Sequence, residues 1–242
     1  ALGAESMEAN TTGTDNTAVG YRALEANTTG NYNVAVGRVA LGSQATVNNC
    51  TAVGYYALGA NTTGAENTAF GSNCMDALTT GNYNDAFGRD ALGTGTGFSE
   101  CCAFGNSALK VNTADHNSAF GFNALGVNTS GARNTAFGHR ALESNTTASN
   151  NTAVGDYALS DCTTGVDNTA VGREALQYCT TGFHNSAVGQ ESQKVLTTGS
   201  YNSSIGHNSL KALVDGIQNN AVGAGSMIAL TTGSYNAAIG AD

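Results

Sequence analysis

The residue types best suited to bind a metal or attack a substrate are scarce: six cysteines and four histidines in 242 residues. Cys162 and Cys179 stand 17 residues apart. If the chain coils with that period, both fill one slot in neighbouring coils, with Cα atoms about 5 Å apart and within disulfide range. The alternative is a pair of buried thiols, a common fate of free cysteine. Cys50 and Cys101 share a slot three periods apart, too far to pair within one chain. Cys74 replaces the small alanine of the consensus, and Cys102 its threonine. No C-x-x-C with a matching second pair occurs, so no zinc site is expected. His116 and His184 are four periods apart, as are His139 and His207, all at variable slots, so no metal or catalytic cluster is expected.

The carboxylates occur mostly singly, as at Asp15, Glu66 and Asp167. Glu174 and Glu191 are one period apart, so stacking alone would bring them near a glycosidase spacing of about 5–9 Å. Their proximity therefore says nothing about catalysis. No G-x-S-x-G elbow, phosphate loop or calcium-binding G-G-x-G-x-D repeat is present. The expectation is a protein that is not an enzyme, with no catalytic residue, no metal and no cofactor.

Three polar patterns remain. Asn16, Asn33, Asn67 and Asn84 begin a column that runs from Asn117 to Asn236. It reads either as a ligand row or as an asparagine ladder, and a buried polar column must satisfy itself, which favours the ladder. Threonine pairs such as Thr11-Thr12 and Thr28-Thr29 form a second column, where ice binding competes with ordinary turn chemistry. Asn10, Asn27, Asn61, Asn128 and Asn145 share one slot in N-x-[ST] sequons, and Asn49, Asn150 and Asn202 also qualify. A glycan row is one reading; the other is that the repeat itself generates the motif. Tyr32, Tyr83, Tyr201 and Tyr235, with Tyr21, Arg38, Tyr55 and Arg89, fall in freely varying slots. They are expected to point outward as a contact surface, since tyrosine and arginine are the usual interface anchors.

What positions all of these is a repeat. The string Asn16-Thr17-Ala18-Val19-Gly20 recurs with its glycine at 3, 20, 37 and onward to 240, every step 17 residues except 105 to 121, which is 16. The consensus is N-T-A-[VFI]-G-x-x-A-L-x-x-N-T-T-G-x-x. Seventeen residues are too few for the helical repeats. Gly, Asn and Thr are also poor helix formers. The pattern predicts an all-β fold: a parallel β-solenoid, or β-roll, of about fourteen coils spanning residues 1–242 as one repeat domain. N-T-A-V-G is expected to be one short strand and the A-L segment a second, with T-T-G and the marker glycine at the corners. Stacked at about 4.8 Å, fourteen coils would make a rod of roughly 67 Å. Inside it, Val19, Val36 and Val53 are expected to form one ladder, continued by Phe70, Phe87, Phe104, Phe120 and Phe137, which would widen the middle coils. Leu24, Leu41 and Leu58 start a second ladder. Both ends fall mid-repeat without a polar cap, which leads us to expect a piece of a longer chain or end-to-end stacking into a filament.

Composition agrees. Thirty-two glycines without a single proline suit strands paired on both sides. A net charge of −9 with nine Lys plus Arg gives no electrostatic footprint for nucleic acid. No apolar run approaches a membrane span of about 20 residues.

Asn-Thr-Ala-Val-Gly followed by Ala-Leu, at 16–24 and again at 168–176, resembles the head repeats of trimeric autotransporter adhesins of the YadA type. It is also similar to the N-T-A-[VI]-G repeats of phage and prophage tail-fibre-like surface proteins. The likeness extends over essentially the whole chain, although the repeat here is longer and carries an N-T-T-G loop. The resemblance implies a left-handed roll, three chains side by side, and an extracellular adhesive or shaft role on a cell-surface appendage or a virion fibre. The expected partners are copies of this chain, as a homotrimer or a head-to-tail polymer, and a host surface glycan or protein. An ice- or glycan-binding solenoid is the alternative.

Overall fold

The computed structural model describes residues 1–43 and 45–241. They contain no helix, and hence none long and apolar enough to cross a membrane. The chain divides into two compact units, Ala1–Asn117 and Ser118–Asp242, with the boundary inside the one repeat that is a residue short. Each unit is a parallel β-solenoid. The first holds six three-residue strands: β1 (Thr17–Val19), β2 (Val34–Val36), β3 (Thr51–Val53), β4 (Thr68–Phe70), β5 (Asp85–Phe87) and β6 (Cys102–Phe104). The second holds eight: β7 (Ser118–Phe120), β8 (Thr135–Phe137), β9 (Thr152–Val154), β10 (Thr169–Val171), β11 (Ser186–Val188), β12 (Ser203–Ile205), β13 (Asn220–Val222) and β14 (Ala237–Ile239). Within a unit each strand pairs parallel with the next in sequence, in a register such as Thr17↔Val34 and Ala170↔Ala187.

A three-residue strand turns its first and third side chains to one side and its middle one to the other. The middle residue faces inward here. Ala18, Ala35, Ala52 and Ala69 are buried, while Val19 and Phe70 are each 37% exposed. This corrects the expected interior ladder: Val19, Val36, Phe70 and Phe87 line the outer face. The reason is volume. A close-packed interior tolerates little change in side-chain size. Alanine recurs at the middle position in every repeat except at Ser204, whereas the third position swings between valine and phenylalanine.

The A-L segment is a second correction, being a run of turns rather than a strand. Arg22 and Leu24 both adopt left-handed backbone, at φ 56° and 52°, and so do their counterparts in the other repeats. Left-handed backbone costs an ordinary residue about 1–2 kcal/mol. For the leucine column the cost is offset by burial: Leu24, Leu41 and Leu58 are fully covered, and burying a leucine is worth about 1.5–3 kcal/mol. The turns still bond from coil to coil, as where Leu24 N–H donates to Ala40 O at 3.0 Å. The interior is thus two alanine columns and a leucine column, with asparagines at one side.

The two glycine corners differ in kind. Marker glycines lie at φ +130° to +147°, a region closed to other residues. The T-T-G glycines instead permit close approach: a Cβ on Gly64 would sit 2.2 Å from Gly81 O and 2.7 Å from Asn61 Oδ1. One coil fills this corner differently. Gly95 and Phe98 replace the usual Asn and Gly, and the Phe98 ring, fully buried, takes the space a Cβ on Gly95 would need.

Another coil carries a buried polar chain. Gln193, in the leucine column, donates through Nε2 to Ser186 O (2.9 Å) and Ser204 Oγ (2.8 Å). Ser204 Oγ lies 2.5 Å from Ser192 Oγ, which donates to Ser209 O at 3.4 Å.

Two glycine-to-alanine changes separate strained corners from ordinary ones. Gly155→Ala forces φ +137° on a residue whose Cβ meets Gly172 O at 2.5 Å, and is expected to cost about 2–4 kcal/mol. Gly97→Ala meets only Thr80 Oγ1 at 3.4 Å and is expected to stay within about 0.5 kcal/mol of the parent. Equilibrium urea unfolding of both variants measures the difference.

Candidate functional site

The outward sheet face is the most regular exposed surface. In the first unit its columns are Thr17, Val34, Thr51, Thr68, Asp85 and Cys102 beside Val19, Val36, Val53, Phe70, Phe87 and Phe104. In the second, Ser118, Thr135, Thr152, Thr169, Ser186 and Ser203 run beside Phe120, Phe137, Val154, Val171, Val188 and Ile205. Phe137 is 56% exposed and Ile205 51%. Asp85 is the one charged residue among the outward strand positions described. Phe70, Phe87 and Phe104 stack with centroids 4.9 and 4.5 Å apart and planes within 5° and 13°. Phe120 and Phe137 stack at 5.6 Å.

The asparagine column is internal. Asn33 Nδ2 donates to Val47 O at 2.7 Å, while Cys50 N–H donates to Asn33 Oδ1 at 3.0 Å. Asn84, Asn185, Asn202, Asn219 and Asn236 add an amide-to-amide bond, as from Asn84 Nδ2 to Asn67 Oδ1 at 3.0 Å. Asn16, at the start of the column, is half-buried and donates to Gly30 O at 2.6 Å. Each side chain therefore serves backbone groups as much as its neighbour in the column.

The sequon slot is a second buried asparagine column, which corrects the glycan-row reading. Asn27, Asn61, Asn128 and Asn145 are fully covered, and Asn10 is half-buried. Asn27 staples its own loop, donating to Gly30 O and accepting from Gly30 N. A glycan on a covered amide has no room. Among the remaining sequons, Asn49 and Asn150 are exposed and Asn202 is buried.

The threonine pairs divide. The first hydroxyl of a pair donates to the carbonyl one coil on, as from Thr11 to Thr28 O (2.9 Å) and Thr62 to Thr79 O (3.0 Å). The second threonine, as at Thr12, Thr29, Thr63 and Thr80, is exposed. The tyrosines point outward: Tyr32, Tyr83 and Tyr235 are 61%, 58% and 78% exposed, and Tyr201 stacks on His184 at 5.0 Å. The Arg38 guanidinium lies between the Tyr21 and Tyr55 rings, at 5.8 and 5.7 Å.

The cysteines are all free thiols. Cys162 and Cys179 occupy the sequon slot, and their thiols donate to Gly165 O (3.3 Å) and Gly182 O (3.7 Å) much as the asparagine amides do. The disulfide that their spacing allows is therefore not formed. Burial pushes both thiols up to about 12, which removes the thiolate needed for nucleophilic attack.

Stacking also gathers charges that look isolated along the chain. Glu5, Glu8 and Glu25 converge within 4.8 Å, with Arg22 Nε 2.6 Å from Glu5 and 3.4 Å from Glu25. A groove of about 600 Å³ beside them is lined by Glu8, Ala9, Glu25, Ala26, Gly42 and Ser43. Glu174 and Glu191 are bridged by Arg173 and Lys194 into one ion-pair network. The hydrogen bond from Lys211 holds the Glu191 carboxyl down to about 2. That depressed value means the pair stabilises the fold above the ordinary value of 4.5, a contribution lost as the pH falls toward about 2.

No protein-family model, curated protein or solved structure matches the chain.

Thiol labelling tests the cysteine assignment. At about pH 8, near the ordinary thiol value, Cys162 and Cys179 are expected to resist an aromatic disulfide reagent in the native protein. Both should react within minutes in guanidinium, with no reductant required. Mass spectrometry showing a native Cys162–Cys179 cross-link would count against it.

Proposed function

We propose that this protein is a structural and adhesive β-solenoid of an extracellular surface fibre, on a cell appendage or a virion, which associates laterally with copies of itself. The observation that carries this reading is the uncovered apolar column of the second unit. Val188, Ile205 and Val222 are 39%, 51% and 42% exposed on successive strands, in a face without charge. A contiguous apolar stripe of this kind on a soluble chain marks an interaction surface. A second copy suits it because both stripes repeat at the same strand spacing, so contacts formed in one coil recur in the next. The repeat's resemblance to trimeric adhesin heads points the same way. The Tyr21–Arg38–Tyr55 ladder supplies a separate outward patch of the residue types that anchor adhesive contacts.

Sedimentation velocity of the full chain tests the lateral contact. The parent is expected to run as an oligomer, and Val188→Lys with Val222→Lys as a monomer with an unchanged circular-dichroism spectrum. A parent that stays monomeric at high concentration would sink the lateral reading.

Ice binding is the second reading, and the outward hydroxyl row favours it. Ser118, Thr135, Thr152, Thr169, Ser186 and Ser203 stand beside an apolar row on a regular sheet. Such rows repeat at about 4.8 Å between strands and about 6.8 Å along them. Thermal hysteresis that disappears in Thr152→Lys with Thr169→Lys would establish it; no hysteresis at any concentration would dismiss it.

A further inference from the structure

The geometry points to a binding channel for flat, elongated, cationic aromatic molecules on the outward face of β4–β6. One wall is the row Phe70, Phe87, Phe104 and the other is Thr68, Asp85, Cys102. The floor is the backbone of Ala69, Ala86 and Ala103, whose side chains turn inward and are fully buried. The strands pair in unbroken register, Thr68↔Asp85↔Cys102 and Phe70↔Phe87↔Phe104, so both walls are straight.

Ring orientation selects the ligand. The phenylalanines turn their faces toward one another, with centroids 4.9 and 4.5 Å apart and planes nearly parallel, so the row presents ring edges outward. The ring edges together make a narrow apolar C–H strip that a planar ligand can cover. A planar aromatic lying along the row therefore meets three ring edges in turn. The row spans roughly 10 Å from first ring to third at the strand spacing, which suits a ligand of two or three linked rings.

Charge selects further. Asp85 is exposed, stands alone as the charged residue of the outward strand positions, and has no cationic partner within ion-pair distance among the described residues. A carboxylate beside an apolar row attracts a cation that is itself flat and apolar. The channel lies on β4–β6, and the lateral surface proposed above lies on β11–β13, so the two readings stand or fall separately.

Thioflavin T, a flat cationic dye, is the probe, with anionic anilinonaphthalene sulfonate for comparison. Titrating the full chain is expected to give a saturable rise in thioflavin T fluorescence. Replacing Phe70, Phe87 and Phe104 together by valine restores the residue that stands at Val19, Val36 and Val53, so the fold is kept. That variant is expected to bind the dye about tenfold more weakly, reflecting the lost apolar area. Asp85→Asn is expected to weaken it about two- to fivefold, less at high salt, as befits an exposed charge pair. Asp85→Lys is expected to reverse the preference toward the anionic dye. The proposal is overturned if thioflavin T does not bind, if the triple-valine variant binds it unchanged, or if Asp85→Asn leaves affinity and salt dependence as they were. Sedimentation of the triple-valine variant should match the parent, which keeps this result apart from the test of lateral association.

Discussion

Every part of this structure depends on one constraint: a group in one coil must find its partner in the next, 17 residues along. The backbone satisfies it in the short strands and again round the turns, as from Leu24 N–H to Ala40 O and Thr28 N–H to Ala45 O, but leaves over groups such as the Asn33 N–H and the Gly30 carbonyl. The asparagine column makes up the difference. Asn168 accepts from Asn185 N–H at 3.0 Å and donates to Gly182 O at 2.8 Å, so one side chain ties its own coil to the 182–185 corner of the next. Buried amide and carbonyl groups must be paired, and an unpaired one costs about 1–3 kcal/mol. The column is thus a structural necessity at the point where the chain leaves one face for another. The same constraint forbids proline within the stack and demands glycine wherever one carbonyl must lie against the next coil.

Departures from the repeat obey the constraint too. Cys50 and Cys101 stand where asparagine is expected, and Cys50 Sγ still donates to Gly64 O at 3.4 Å. Cys162 and Cys179 do the same at the other column. Phe98 fills from one side of a corner the space that asparagine fills from the other, and Gly95 yields to it. Gln193 enters the leucine column together with Ser192 and Ser204, so that its amide hydrogens find acceptors, and only its buried Oε1 is left without a partner among the described residues. In each case a change at one slot is matched by a change or a substitute bond beside it. Irregular interior residues are therefore poor guides to function, because packing already accounts for them.

The period, the parallel stacking and the glycine corners were legible because they are matters of spacing. Which side of a strand faces inward was not, because Thr-Ala-Val alternates equally well either way. The deciding signal was present in the constancy of alanine against the Val-to-Phe variation of its neighbour. It was obscured by the ordinary expectation that the larger apolar residue is buried. The A-L segment was misread because a left-handed leucine leaves no trace in composition. The sequons looked like surface motifs because asparagine before threonine usually is one; here the amide turns into its own loop, as Asn27 does toward Gly30. The glutamate cluster was missed because only stacking sets Glu25 of one coil beside Glu5 and Glu8 of the coil before it.

With alanine inside, the fold is left with an unusual outer face. A coil that buried its valines would bury the threonines with them, present only alanine outward and offer little to bind. This one spends its smallest side chains on the interior, where the narrow coil admits nothing larger at the strand. It holds its most variable apolar residues in a straight exposed row. Such a row can change from valine to phenylalanine, or its companion from threonine to aspartate, without disturbing a single interior contact. The stacking constraint fixes where these side chains stand and leaves their identity free. The chemical differences along the face, aromatic and acidic at β4–β6 but aliphatic and hydroxylated at β9–β12, are therefore where selection for binding can act without cost to the fold.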